Sequence, residues 1–396
     1  MSERHSFGVE PITCHAWNHD KTQLALSLNN QDVQIYEQNK VTNEWKLMHT
    51  LSQHELRVTG IDWAPRTNQI VTCSVDRNAY VWRFDSDGKW KPFLAMLRIN
   101  RAATCVRWSP EGDIFSVLFI LFLLISVSYF EKQNNWWLSK HIKKPIKSTV
   151  SCLDWHPNNM LLVVGTSDFK VKVYSVYIKD IEDPAPATSW GSKHVFGTPL
   201  AEFHNSSFGG GWVHSVAFSG DGNRICWVAH NSSINIADAS NGNISVTSLK
   251  TQFLPFNNCM WVRPDSILVA GYSCCPLLFS VNAKNSITFV CKLDSSQKKE
   301  SGGISAMRKF QSLDRQAKVE VNTSLETIHQ NAITCTKIFS GVNGNVAKFS
   351  TSGLDGQLVI WDLNVRILFS VMREEKLLVF NFYCVLYILT VKFRNR

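Results

Sequence analysis

The sequence predicts an all-β fold, a seven-bladed β-propeller with a short helical arm between blades six and seven. Three observations lead there. Trp recurs at a near-constant interval, a second spacing inside each interval marks a two-strand unit with a polar turn, and the last interval is about 30 residues too long for one blade.

Trp17, Trp63, Trp108 and Trp155 lie 46, 45 and 47 residues apart, close to the ~40–45 residues of a propeller blade. Thirteen residues after the aromatic comes Asn or Asp, and six further on an aromatic usually closes the unit: Trp17/Asn30/Tyr36, Trp63/Asp76/Trp82 and Trp155/Asp168/Tyr174. Phe218/Asn231/Ala237 keeps the spacing and loses the last aromatic. Apolar alternation on both sides of the Asp or Asn, as in Gln69-Ile-Val-Thr-Cys-Ser and Ala79-Tyr-Val-Trp, reads as two antiparallel strands. The polar residue is expected to be the turn, because its side chain bonds back to the backbone and tolerates left-handed dihedrals. Pro65, Pro110 and Pro157, each two residues past a Trp, end the preceding strand.

Trp261, followed by Ser266-Ile-Leu-Val-Ala-Gly, opens a sixth unit, and Ile333 to Ile338 followed by Ser352 to Asp362 makes a seventh. Outer strands are expected at 45–51, 90–97, 136–142, 200–204, 246–250 and 288–293, whereas the last unit has no convincing one of its own. A closed ring removes that exposed edge if the N-terminal segment supplies the missing strand, for which Phe7-Gly-Val9 is the candidate.

Composition agrees with a packed, aromatic-rich globule: 396 residues, 44% hydrophobic, with 14 Trp and 23 Phe against 12 Pro. The N-terminal Met1-Ser-Glu-Arg-His-Ser-Phe lacks a secretory apolar stretch, so a location in the cytoplasm is expected. The 11 Cys form no C-x-x-C pair, which favours buried free thiols over disulfides or a zinc site, and four Asn-x-Ser/Thr sequons are then idle. A net charge of +9, partly in Lys140 to Lys147 and partly among Lys298, Lys299, Arg308, Lys309, Arg315 and Lys318, suits an acidic partner or a solvated surface. Nucleic acid is not expected, since no aromatics interleave with the basic residues.

Catalysis finds no foothold. There is no H-E-x-x-H, no phosphate-binding Gly loop and no G-x-S-x-G. Asp76, Asp168 and Asp355 recur by blade position, so each is expected to satisfy its own hairpin and, beside His54 or His329, a blade-to-blade hydrogen-bond network. No catalytic residue, cofactor or metal is expected.

The seventh unit ends in Trp361-Asp362 and carries His329 and Asp355, and the second carries His54, Asp76 and Trp82; both resemble the WD repeat. Longer runs resemble one family, subunit 1 of the actin-related protein 2/3 complex. They include Glu10-Pro-Ile-Thr-Cys-His-Ala-Trp-Asn18, Gly60-Ile-Asp-Trp-Ala-Pro65, Asp154-Trp-His-Pro-Asn-Asn159, Gly210-Gly-Trp-Val-His214 and Leu325-Glu-Thr-Ile-His-Gln-Asn331, and the match spans roughly residues 9–362. The resemblance implies a non-catalytic scaffold that packs against actin-related and smaller subunits, supports nucleation of branched actin filaments and helps receive nucleation-promoting factors. The alternative is a generic WD-repeat adaptor, tethered to a membrane by its C-terminal tail.

The excess length falls between residues 294 and 327, within a propeller domain of residues 1–364. Ser305 to Arg315 reads as a short amphipathic helix, with Met307, Phe310 and Leu313 on one side and Arg308, Lys309 and Arg315 around them. Such a short helix is marginal in water, so its apolar side needs either the propeller or a partner. The resemblance implies that it contacts the actin filament, with Met307, Phe310 and Leu313 as anchors and Arg308 and Lys309 as steering charges. The insertion from Ile178 to Pro199 reads as an ordered surface loop.

Two segments depart from the family pattern. Residues 114–130 carry no charge, and within them 114–124 replaces the Gly-rich turn expected in blade three. Residues 365–396 form a divergent apolar tail. Both are expected to be translated intron, since Val365-Arg366 is encodable by GTAAGA; the alternatives are a membrane span at 114–130 and a tail anchor at 377–391, each short of the ~20 residues of a comfortable span. The blade-three segment is expected to expose or misplace a hydrophobic strand.

Overall fold

The structure is a computed structural model that describes all residues except 1, 40, 43, 100, 120–123, 144–145, 180–185, 193, 206, 295–324 and 364–396; at 118, 119 and 207 it describes the backbone alone. Apart from a 3-10 turn at Ser207–Gly209, its regular elements are 28 β-strands.

The strand β1 (Glu3–Ser6) precedes blade one, which is β2 (Cys14–Trp17), β3 (Gln23–Ser27), β4 (Val33–Gln38) and β5 (Trp45–Leu51). Blade two is β6 (Val58–Trp63), β7 (Ile70–Ser74), β8 (Ala79–Phe84) and β9 (Trp90–Ala95), and blade three is β10 (Ala103–Trp108), β11 (Ile114–Phe119), β12 (Ile125–Glu131) and β13 (Trp136–Ile142). Blade four is β14 (Val150–Trp155), β15 (Leu161–Thr166), β16 (Lys170–Ser175) and β17 (Pro199–His204). Blade five is β18 (Val213–Phe218), β19 (Arg224–Ala229), β20 (Ser233–Asp238) and β21 (Ser245–Lys250). Blade six is β22 (Phe256–Arg263), β23 (Ser266–Gly271), β24 (Leu277–Val281) and β25 (Ile287–Lys292), and blade seven adds β26 (Ile333–Val342), β27 (Asn345–Gly353) and β28 (Gln357–Asp362).

Within each blade the strands pair in chain order, antiparallel. The innermost strands touch one another around the ring in the order β2, β6, β10, β14, β18, β22, β26 and back to β2, so seven blades close on themselves. Blades two and three are also joined at their outer edges, where β13 pairs parallel with β9 at Trp137 and Ala95. The Arg83 guanidinium lies over Phe93 of blade two and Phe130 of blade three, which adds a cation-π link to that join.

Burial falls from the centre outward. The second strand β7 is buried at every position, because blades cover both its faces, while the outer strand β5 is mostly exposed. The core is not inside the blades but between them: the seven hydrophobic clusters correspond to the seven seams. One of them packs Val71 and Val81 of blade two against Val106, Trp108 and Phe115 of blade three. No blade could bury its own apolar faces alone, which is why the repeat must ring-close.

Several expectations need correction. The strand that closes blade seven is not Phe7-Gly-Val9 but Glu3–Ser6, which pairs antiparallel with β28, Glu3 opposite Ile360. Phe7 instead packs edge-on against Tyr36 of blade one, its ring centroid 4.8 Å away, at the start of the connection into that blade. In blade one the left-handed dihedral falls one residue before the expected Asn30, at Asn29 (φ 61), and in blades two, four, five and seven it falls one residue later than expected. It is adopted by Arg77 (φ 75), Phe169 (φ 66) and Ser232 (φ 59), and by Gly356 after Asp355 (φ 71), while the Asp or Asn itself holds the turn by accepting an amide two residues on, as Asp76 does from Asn78.

The described strands of the apolar run in blade three are seated in the blade rather than misplaced. β11 and β12 pair in register, Ile114 with Tyr129 through Leu118 with Ile125, and Ile114, Phe115 and Val117 are fully buried. Among the described residues no helix is long and apolar enough to cross a membrane. Residues 365–396 and the arm helix lie outside the described residues.

Candidate partner-binding site

The recurring Asp residues are built into the blades. In blade two Trp82 Nε1 donates to Thr72 Oγ1 (3.0 Å), His54 Nε2 lies 2.8 Å from the same hydroxyl, and His54 Nδ1 lies 2.8 Å from Asp76 Oδ2, which also accepts the Glu55 amide. An Nδ1-H tautomer satisfies every donor in this chain. Blade seven repeats it with Trp361, Thr351, His329 and Asp355. Burial would raise both carboxyls, yet the hydrogen bonds from His54, Asn78 and Glu55, and in blade seven from His329, Gln330 and Gln357, hold Asp76 and Asp355 below the ordinary value. These networks tie the loop before a blade to that blade's second and third strands. They run within a blade, not from blade to blade as the sequence suggested.

Asp168 has no His in reach; Thr166 Oγ1 donates to it directly, and the buried Tyr174 hydroxyl finds no protein partner among the described residues. Blade-to-blade links come from residues that the sequence did not single out. Thr59 Oγ1 donates to Ala103 O (2.8 Å) and Ser151 Oγ to Val213 O, each in the next innermost strand, and Thr334 Oγ1 donates to Ile12 O (2.7 Å), just before β2. His15, buried, sits between Ser352 (2.9 Å) and Ser350 (2.8 Å) of blade seven, and burial lowers its pKa to about 3. The legible signal for two of these blade-to-blade hydroxyls was a Thr or Ser four residues before the repeating Trp, at Thr59 and Ser151; Thr13 and Thr104 share that position, but Thr13 bonds within its own blade and the Thr104 hydroxyl has no partner among the described residues.

Carboxylates do face the central channel, but they are engaged. Asp62 accepts Lys337 Nζ (2.7 Å) and the Trp108 amide (2.8 Å), and Asp154 accepts the Phe218 amide (2.9 Å) beside Arg107 (3.8 Å). Among the described residues no group of three or more His, Cys, Asp or Glu is placed to hold a metal. Ten of the Cys are described and none of these is in a disulfide; seven of them are buried.

One face of the ring has the character of a partner surface. The connections from an outer strand to the next blade, and those between second and third strands, share this face by topology. They leave Leu56, Phe208, Trp212, Leu254, Tyr272 and Leu354 exposed, with Phe208 and Trp212 each 55% exposed. His214 and His230 meet beside Trp212, 3.0 Å apart. In the Ile178 to Pro199 insertion Trp190 is not a contact residue: it is buried and donates to Gly222 O (2.7 Å).

The segment 294–327 leaves and re-enters on the same face, and its root is pinned. Asp294 accepts the Ile328 amide (2.5 Å), Arg4 of β1 donates to Ile328 O (2.9 Å), and Gln330 Nε2 donates to Leu325 O (3.1 Å). Met307, Arg308, Lys309, Phe310 and Leu313 lie outside the described residues, as does Lys144 of the basic stretch, whose Lys140 lies over the Tyr129 and Phe196 rings.

Seven blades, two of them with a complete Trp, Thr, His and Asp network, define a WD-repeat propeller, and the WD domain, G-beta repeat family matches residues 45–83 and 138–175. Similarity to known proteins extends over nearly the whole chain. It is 52% identical over 359 residues to actin-related protein 2/3 complex subunit 1A-B of Xenopus laevis, covering 90% of this chain and 95% of that one. It is 39% identical to actin-related protein 2/3 complex subunit 1 of Schizosaccharomyces pombe (89% and 97% covered) and 33% identical to subunit 1B of Arabidopsis thaliana (90% and 95%). The chain belongs to the family of actin-related protein 2/3 complex subunit 1.

Proposed function

We propose that this chain is the propeller subunit of an actin-related protein 2/3 complex, a non-catalytic scaffold in the cytoplasmic actin cytoskeleton. It packs against the actin-related and smaller subunits and supports nucleation of branched filaments. The observation that carries this reading is 52% identity sustained over 359 residues, which spans 95% of a relative named for that complex. The engaged state of the channel carboxylates supports a scaffold over an enzyme. A generic adaptor is not favoured, since a WD signature alone would not extend the match through the divergent connections.

Within that role the segment 294–327 acts as an arm against the actin filament, with Met307, Phe310 and Leu313 as anchors and Arg308 and Lys309 steering the approach. The exposed apolar side chains on the same face serve subunits or nucleation-promoting factors. Affinity capture of the chain from cytosol, followed by mass spectrometry, is expected to recover actin-related subunits; their absence overturns the assignment. Met307→Asp with Phe310→Asp is expected to leave that assembly intact and weaken branching, and unchanged branching removes the arm from the mechanism.

A further inference from the structure

One register position recurs in all seven innermost strands, five residues after Ile12, Val58, Ala103, Val150, Val213, Phe256 and Ile333, where Trp17, Trp63, Trp108, Trp155, Phe218, Trp261 and Ile338 stand. The residues just before these are Ala16, Asp62, Arg107, Asp154, Ala217, Met260 and Lys337. The four charged ones sit at one level of the channel and form two pairs of opposite sign, Lys337 with Asp62 and Arg107 with Asp154. Each carboxylate also accepts an amide of the following blade: Asp62 that of Trp108, Asp154 that of Phe218.

The first pair joins blades that are not neighbours. Lys337 belongs to blade seven and Asp62 to blade two, with blade one between them. Blade one places Ala16, with no side chain beyond Cβ, at the same register, and its Lys21 lies within electrostatic reach of both partners. This is also where the ring is covalently discontinuous, since blade seven takes its outer strand from the N-terminus. We infer that Asp62 and Lys337 form an internal latch that spans blade one and holds the ring shut across its closing seam, from the channel side, independently of the β1 strand on the outside.

The physical case rests on partial burial. Both side chains are 17% exposed, which limits solvent screening without imposing the full cost of desolvating an isolated charge. Asp62 is pre-oriented by the Trp108 amide, so little side-chain freedom is lost when Lys337 closes on it. From Asp62 the contacts continue through blade three to Asp154 and blade five, so the latch is the end of a belt that runs along the inside of the ring.

Hydrogen exchange on the full chain tests this. Asp62→Asn keeps an acceptor for the Trp108 amide and removes the charge; Lys337→Met keeps the stem and removes the ammonium. Each is expected to speed exchange of amides in β1, β28 and β2 about tenfold, and the double variant no more than either single one, because both break the same contact. Lys337→Arg, which keeps a charge of the same sign within reach, is expected to stay close to the parent. Additive effects of the two substitutions, or faster exchange confined to β6 and β10, overturn the latch. Lys337→Arg behaving like Lys337→Met overturns it as well.

Discussion

Replacing Asp76 by Ala tests how much the Trp, Thr, His and Asp networks contribute. The carboxylate is 4% exposed and accepts His54 Nδ1 (2.8 Å), the Glu55 amide (3.0 Å) and the Asn78 amide (2.9 Å). Hydrogen bonds to a charged group are worth about 1.5–3 kcal/mol each and are not additive. Removing one partner of a buried pair costs about 3–5 kcal/mol in total, because the donors left behind stay desolvated. Asp76→Ala is therefore expected to lower the unfolding free energy in urea by about 3–5 kcal/mol, and Asp355→Ala by a similar amount. Asp168→Ala, which leaves no His unpaired, is expected to cost about 1 kcal/mol. The Asp76 carboxyl is held below its unfolded value, so its contribution is complete above about pH 4 and is lost as pH falls through the lower folded value. The Asp76→Ala penalty should shrink in that acidic window. Equal losses for all three substitutions, or a penalty for Asp76→Ala that does not change with acid, would refute the reasoning.

Two further outcomes follow from the packing. His15 titrates at about 3 when folded against 6.5 unfolded, so the unfolded chain binds more protons between those values and stability falls as pH drops from 6.5 towards 3. His15→Gln should flatten that slope in urea titrations at pH 6.5 and 4.5, and an unchanged slope contradicts it. Phe115 is fully buried with ring centroids 5.2 Å from Trp108 and 5.1 Å from Trp137, so Phe115→Ala is expected to cost about 3–5 kcal/mol. A cost below about 1 kcal/mol would mean that the apolar strand of blade three is not seated in the seam.

Local chemistry was legible where one residue type must recur for one reason. The Trp interval placed the innermost strands, and the outer strands read at 45–51 and 136–142 have those bounds in the structure, because exposed strands alternate with turns that Asn, Asp and Gly mark. The strands of the apolar run at 114–130 were expected to be exposed or misplaced, and at the described positions the opposite holds. Strands buried between two neighbouring blades lose their alternation, and an unbroken apolar run then looks the same in a blade as in a membrane. The arm residues Met307 and Phe310 remain proposals from the sequence pattern.

The sequence by itself determined the number of blades, the family and the two blades that carry His beside the repeating Asp, since each is written in short runs and spacings that recur along the chain and need no knowledge of the ring. Only the tertiary structure decided which N-terminal residues close the ring, that His15 serves blade seven, and that Lys337 reaches Asp62 past blade one. These partners lie hundreds of residues apart, and no local period relates them. Their pairing is set by the circumference of the ring, which exists only once all seven blades have packed.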